Sequence, residues 1–195
     1  GNLGSIQNIL KRIGVNSLIT SDINQIAKAK RIILPGVGSF DTGMGMLSSL
    51  GIIEILNEKV LIEKVPILGI CLGMQLMSKK SDEGILPGLG WIDAETIRFN
   101  FTDSSAYKIP HMGWNFIHQE KESRLLTEMY DDARFYFVHS YYFKPNDLSD
   151  VLTSTNYEVN FTSSFEKDNI LGVQFHPEKS HKFGMKLLKN FVDFY

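Results

Sequence analysis

The sequence has a single cysteine, Cys71, so no intrachain disulfide can form and the fold must rest on its core. It shows no signal-peptide pattern and no apolar run long enough to span a bilayer. These absences lead us to expect a cytoplasmic protein with no membrane partner. An excess of positive charge is missing too: 20 Lys and Arg against 22 Asp and Glu leave a formal charge of -2, which excludes a global basic field for nucleic acid. No G-x-x-x-x-G-K pattern follows the glycines of Pro35-Gly36-Val37-Gly38, so a phosphate cradle is not expected there. No H-E-x-x-H occurs either, and His176, Glu178 and His181 make a poor ligand set. Neither a metal nor an organic cofactor is implied. There are no internal repeats, low-complexity stretches or interdomain linkers, so we expect one domain over residues 1–195.

What is present reads as an α/β chain. Ile6, Ile9, Leu10 and Ile13 share one face of a helix stopped by Gly14. Ser17 to Thr20 reads as a short strand and Ser21-Asp22 as a helix start. Arg31 to Leu34 reads as a buried strand, followed by helical patterns to about residue 63. Pro66 to Ile70 is another apolar strand, running into Cys71 and a helix from Leu72 to about Lys79. This strand–helix rhythm predicts a parallel sheet with helices on both faces. The second half differs: residues 91–99, 113–118, 134–143, 151–156, 161–165 and 170–175 read as strands separated by turns. Ser123 to Met129 and Ser180 to Phe194 read as helices. The expected fold is therefore a mostly parallel central sheet flanked by helices, with an added antiparallel region.

Gly69-Ile70-Cys71-Leu72-Gly73 has the form G-x-C-x-G at a strand-to-helix junction. This is the cysteine counterpart of a nucleophile elbow, in which glycines permit a sharp turn that presents the nucleophile at the carboxyl end of the sheet. A helix N-terminus under the sulfur favours thiolate. A lone cysteine in an apolar strand is more often a small core residue, but the flanking glycines and strand–turn–helix context weigh against that here. Cysteine hydrolases need a base and a group to orient it. Among five histidines, His176 follows an apolar strand and opens His176-Pro177-Glu178. Residues two apart on an extended segment point the same way, so Glu178 could orient His176.

The combination of Gly69-Ile-Cys71-Leu-Gly-Met-Gln75 with His176-Pro-Glu178 resembles the class I (triad) glutamine amidotransferases over essentially the whole chain. That resemblance implies their three-layer, flavodoxin-like sandwich. More narrowly, the chain is similar to the glutaminase subunits of imidazole glycerol phosphate synthase. Gly1-Asn2-Leu-Gly-Ser5, Leu34-Pro-Gly-Val-Gly-Ser-Phe40, Pro110-His-Met-Gly-Trp-Asn115, Phe137-Val-His-Ser-Tyr141 and His176-Pro-Glu-Lys-Ser180 carry the narrower match. The resemblance implies that Cys71 attacks the side-chain amide of L-glutamine, that His176 moves the proton, and that Glu178 orients His176. It implies an oxyanion hole from the Leu72 amide and from Val37 or Gly38, in a loop that switches when a partner is engaged. It implies glutamine binding by Gly36, Gly73, Gln75, Glu83 (for the α-ammonium) and backbone around Ser140 and Tyr141 (for the α-carboxylate). His139 is expected to be a structural histidine beside the substrate.

The resemblance also implies a heterodimer with a (β/α)8-barrel cyclase, with Asn2, His111, Trp114, Tyr136 and Lys179 at or near the interface or ammonia path. Histidine biosynthesis is the expected pathway. A paralogous role, supplying ammonia for an acetamidino sugar of surface polysaccharides, is the alternative acceptor. A γ-glutamyl hydrolase or peptidase, a non-catalytic regulatory subunit and a redox sensor at Cys71 are the rival classes. The family begins with a strand just before the Gly-Asn turn at which this sequence opens, so we expect the natural protein to carry residues before Gly1.

Overall fold

The computed structural model describes residues 3–102 and 107–195. Asn2, expected near the partner surface, lies outside them. The chain opens with α1 (Leu3–Arg12), whose Ile6 and Leu10 are buried. Asp22 caps α2 (Ile23–Ile26) by accepting from the Asn24 amide at 2.8 Å. Then come β1 (Ile32–Gly36), α3 (Phe40–Ser49) and α4 (Ile53–Asn57), which runs on as a single π-turn over Glu58–Ile62. The central strand β2 (Ile67–Cys71) is followed at once by the short α5 (Leu72–Gln75). The second half supplies β3 (Lys80–Ser81), β4 (Ala94–Arg98), β5 (His111–Phe116), β6 (His118–Gln119), β7 (Arg134–His139), β8 (Tyr141–Pro145), β9 (Val151–Tyr157), β10 (Val159–Lys167) and β11 (Ile170–Val173). The long α6 (His181–Phe194) ends the chain.

The main sheet has the path β1-β2-β11-β10-β8-β4-β3, with β9 and β6 added beside β10. Pairing is parallel from β1 through β2 to β11, and again between β3 and β4. The ladders of β10, β8 and β9 are antiparallel, and β5 and β7 form a separate antiparallel ribbon. The parallel part sits where the expected site is, and the antiparallel part extends it. One core layer holds Leu68, Ile70, Leu171 and Val173 with Phe183, Leu187 and Phe191 of α6. The other holds Ile67, Ile170 and Met74 with Phe40, Leu47 and Leu56. The sheet is thus covered on both faces, and each large side chain buried this way contributes about 1.5–3 kcal/mol.

Four local expectations differ from the structure. Residues 17–20 form no strand; Leu18 and Ile19 are exposed, and among the described residues no strand pairs with that backbone, whose Ser17 carbonyl accepts from the Gln7 side chain at 3.0 Å. The helix after Cys71 is one turn rather than two. The Ser78 hydroxyl donates to the Gln75 carbonyl at 2.7 Å, and loop amides of Leu89 and Gly90 take the carbonyls of Leu76 and Ser78. Residues 123–129 hold only a 3-10 turn, Arg124–Leu126. The apparent strand 134–143 breaks at Ser140, where the chain leaves the β5–β7 ribbon and enters the main sheet as β8.

Candidate active site

Cys71 ends β2 with φ 54° and ψ -111°, a conformation that L-residues adopt only under strain. Its neighbours show why the pattern is G-x-C-x-G. A Cβ on Gly73 would lie 1.7 Å from the Leu34 carbonyl oxygen, and one on Gly69 would lie 2.7 Å from the Met74 nitrogen. The elbow therefore exists only because the first turn of α5 can press against β1 and β2. Strain at Cys71 makes a specific prediction. Glycine normally costs about 0.5–1 kcal/mol against alanine, but at a positive φ that order reverses. Cys71→Gly is expected to unfold at higher temperature than Cys71→Ala, by about 1 kcal/mol in stability. Calorimetry that ranks alanine above glycine would remove the strain argument.

His176 is set by three backbone contacts. Its amide donates to the Tyr136 carbonyl at 2.9 Å, the Ser180 hydroxyl donates to the His176 carbonyl at 2.6 Å, and the Tyr136 amide donates to that hydroxyl oxygen at 3.0 Å. Pro177 starts a 3-10 turn that α6 covers so closely that a Cβ on Gly184 would sit 1.8 Å from the Pro177 carbonyl oxygen. Glu178 then folds back, with Oε1 at 2.8 Å from His176 Nδ1. Both side chains are almost fully buried, at 2% and 0% exposure. A carboxylate can only accept, so Nδ1 carries a proton and Nε2 is the nitrogen left for chemistry. Among the described residues Nε2 has no hydrogen-bond partner. Burial alone would lower the His176 pKa, but interactions with Cys71 and Glu178 outweigh it and raise it to about 9. Burial would raise the Glu178 carboxyl, whereas the hydrogen bond and charge of His176 hold it below its usual value.

These groups open on a cavity of about 370 Å³, in the range of small-molecule sites, lined also by Val37, Gly38, Leu72, Gln75 and Glu83. The pairing of Gly36 with Cys71 across β1 and β2 brings the loop after β1 to the sulfur. A Cβ on Gly36 would stand 3.0 Å from Leu72 Cβ and 3.1 Å from the Gly73 nitrogen. Gly38 has φ 96°, and the Val37 side chain is 63% exposed, so little packing holds this loop in one state. Glu83 reaches the rim: one oxygen accepts from the Phe40 amide at 2.7 Å, which leaves the other for a ligand. Asp41 accepts from the amides of Ile85 and Leu86, at 3.0 Å each, and ties the Glu83 loop to α3.

Ser140 and Tyr141 line the same cavity at the break between β7 and β8. The Tyr141 carbonyl is already taken, by Gln75 Nε2 at 3.1 Å and His139 Nδ1 at 2.7 Å. Gln75 is buried and both its amide hydrogens are committed, the second to Gln174 Oε1 at 3.0 Å, so it offers a ligand only its oxygen. Of the residues expected near a partner, Lys179 is exposed with its ammonium 5.6 Å over the ring of the half-buried Tyr136. Trp114 is 43% exposed and stacks on His181 at 5.5 Å, which rules out core packing. His111, expected at or near the interface or ammonia path, is 3% exposed and stacked between Phe137 and Tyr157, so it lies behind that surface and not on it. On β5 the odd-numbered residues turn inward, while Met112, Trp114 and Phe116 form an exposed row.

One polar neighbour of the sulfur was not picked out from sequence. Gln174 is fully buried and its Nε2 donates to Cys71 Sγ at 3.8 Å. Its signal was a lone amide in the apolar run Ile170 to Phe175.

Comparison with known proteins agrees with this geometry. The model of the glutamine amidotransferase class-I family matches residues 4–194. Imidazole glycerol phosphate synthase subunit HisH 2 of Methanococcus maripaludis is 55% identical over 98% of this chain and 94% of that protein. The protein of the same name from Pseudomonas aeruginosa is 48% identical over 99% of this chain and 95% of its own. Among solved structures, a glutamine amidotransferase from Thermotoga maritima superposes with a TM-score of 0.67 at 16% identity, covering 96% of this chain and 90% of that one, a likeness of fold. The chain belongs to the class I glutamine amidotransferase family and, within it, to the group of imidazole glycerol phosphate synthase HisH subunits.

Proposed function

We propose that this chain is the glutaminase subunit of imidazole glycerol phosphate synthase, hydrolysing L-glutamine to glutamate and ammonia for histidine biosynthesis. The observation that carries the chemistry is the buried Glu178–His176 pair acting on Cys71 at the mouth of a cavity of small-molecule size. In this reading the Cys71 thiol proton has passed to His176 Nε2 when the sulfur reacts. The sulfur attacks the side-chain amide carbon of glutamine. Negative charge that develops on the amide oxygen is met by the Leu72 amide and by the Val37 or Gly38 amide. His176 gives its Nε2 proton to the departing nitrogen, and the C–N bond breaks to leave a glutamyl thioester and ammonia. Neutral His176 then takes a proton from water, whose oxygen displaces Cys71 and releases glutamate. Throughout, Glu178 keeps Nδ1 protonated and the ring in place. The free oxygen of Glu83 binds the α-ammonium, while Gly36, Gly73, Gln75 and the amides of Ser140 and Tyr141 shape the rest of the pocket.

The proposal includes a (β/α)8-barrel cyclase as heterodimer partner, since ammonia released to water is mostly protonated and no longer a nucleophile. The exposed row Met112, Trp114 and Phe116, with Tyr136 and Lys179 beside it, is the surface assigned to that partner. A buried tryptophan anchor is worth about 2 kcal/mol, so Trp114→Ala is expected to weaken the complex about 30-fold in titration calorimetry. An unchanged affinity would move the interface elsewhere. A catalytic thiol needs reducing surroundings, so the proposal places the protein in the cytoplasm.

Glutamate release by the chain alone, and with the cyclase barrel plus its ribonucleotide substrate, tests the whole reading. Strong stimulation by the loaded partner is expected, because the loop at Val37-Gly38 is held by few contacts until something docks. Full speed without a partner would remove the gate. Stimulation only by a barrel of a sugar-amidination system would reassign the acceptor and leave the hydrolysis intact.

A further inference from the structure

The buried polar groups behind the site form one continuous chain. Asn115 Nδ2 donates to the Asn156 carbonyl at 2.9 Å and lies 3.3 Å from His111 Nε2. His111 Nδ1 is 3.0 Å from His139 Nε2, and His139 Nδ1 is 2.7 Å from the Tyr141 carbonyl oxygen. That carbonyl also accepts from Gln75, whose other amide hydrogen goes to Gln174 Oε1, and Gln174 Nε2 meets the Cys71 sulfur.

The direction of every bond follows from the two fixed ends. A carbonyl only accepts, so His139 Nδ1 and Gln75 Nε2 must both donate to Tyr141. Burial, with the neighbouring His111, lowers the His139 pKa to about 3, and burial lowers that of His111 to about 4. Both rings are therefore neutral, His139 Nε2 accepts from His111 Nδ1, and His111 Nε2 accepts from Asn115. On the other side Gln75 has no hydrogen left, and its donor nitrogen faces Gln174. A flipped Gln174 would set two NH2 groups against each other and aim its oxygen at the sulfur. Only one orientation satisfies both neighbours, and it presents an N–H to Cys71.

We propose that Gln174 is a positioning residue for the Cys71 sulfur, and that the Tyr141 carbonyl, acting through Gln75, fixes which way its amide points. This rests on the reading of Cys71 as nucleophile. A donor aimed at the sulfur favours thiolate over thiol. The titratable groups that share the cavity with Cys71 are His176, with Glu178 behind it, His139, Tyr141, Glu83 and Lys179. Gln174 adds a fixed dipole that does not titrate.

The test is the pH dependence of Cys71 alkylation by iodoacetamide on the full chain. In Gln174→Met the midpoint is expected to rise by about one pH unit, and alkylation at pH values below it to slow by up to about tenfold, because the reacting species is the thiolate. Gln75→Met is expected to shift the midpoint the same way by less, since Gln174 is then free to flip. A folded Gln174→Met protein with reduced melting temperature and an unmoved midpoint overturns the proposal, leaving a packing role. If Gln174→Met does not fold, an unmoved midpoint in Gln75→Met overturns it. The wild-type control separates the two readings: glutaminase activity that survives complete alkylation sinks Cys71 as nucleophile, whereas the midpoints report on Gln174 whether or not turnover occurs.

Discussion

Cys71→Ala is expected to reduce glutamate release from glutamine by at least about three orders of magnitude, while synthesis driven by ammonium salts in the reconstituted complex stays near wild type. No other thiol exists in the chain, and the strained elbow presents this side chain to the cavity that His176 also lines. Synthesis from ammonium survives because the acceptor is handled by the partner. Glu178→Gln is expected to lose less. The amide oxygen can still accept from His176 Nδ1, so orientation is partly kept and the missing charge is what is felt. Glu178 Oε2 is buried with no hydrogen-bond partner among the described residues, so the neutral amide should not unfold the site. Since Glu178 is one of the groups raising His176, the alkaline limb of the pH–rate profile should move to lower pH in this variant. A coupled glutamate assay decides both points. Substantial turnover in Cys71→Ala would end the nucleophile assignment, and equal losses in the two variants would give Glu178 a direct part in proton transfer.

How much of this was legible in the sequence depends on how local each feature is. The elbow was readable because Gly69, Cys71 and Gly73 impose their turn within a few residues. The orientation of His176 by Glu178 was readable for the same reason. The rhythm of the first half showed the parallel core, since each strand there follows its helix in order. What escaped depends on partners far along the chain. The contact of Gln174 with Cys71 arises from the parallel register of β11 on β2, which no spacing reveals. The strand expected at 17–20 had the right residues and finds no strand to pair with among the described residues. The apparent strand 134–143 has no local breaker at Ser140; it divides because its two halves join different sheets. His111 is instructive in another way. It and Trp114 are three apart on an extended strand, so they point to opposite faces, and alternation alone puts one on the surface and the other behind it.

Acidification is expected to destabilise this protein before its carboxylates titrate. Both histidines of the buried pair have pKa values far below the usual 6.5, about 4 for His111 and about 3 for His139. The folded state therefore stays unprotonated at these rings while the unfolded state takes up two protons below pH 6.5. Stability is then complete above 6.5 and falls as the pH drops from there towards 4. Each histidine contributes a slope of about 1.4 kcal/mol per pH unit over that window, which soon becomes a large part of the 5–15 kcal/mol that holds a typical domain. His176 does not offset the loss. Its pKa is raised to about 9, so its contribution is already complete below 6.5 and fades only as the pH rises through 9. Glu178, held below its usual 4.5, keeps its contribution above that value and loses it only at lower pH, which steepens the far acid end. Urea unfolding between neutral pH and pH about 4.5 measures the slope directly. His139→Gln, which keeps a side-chain donor and acceptor but cannot titrate, should remove about half of it. A wild-type stability that stays flat across the window would mean the two rings are not both neutral in the folded protein, and the bond directions argued from their neutrality would have to be redrawn.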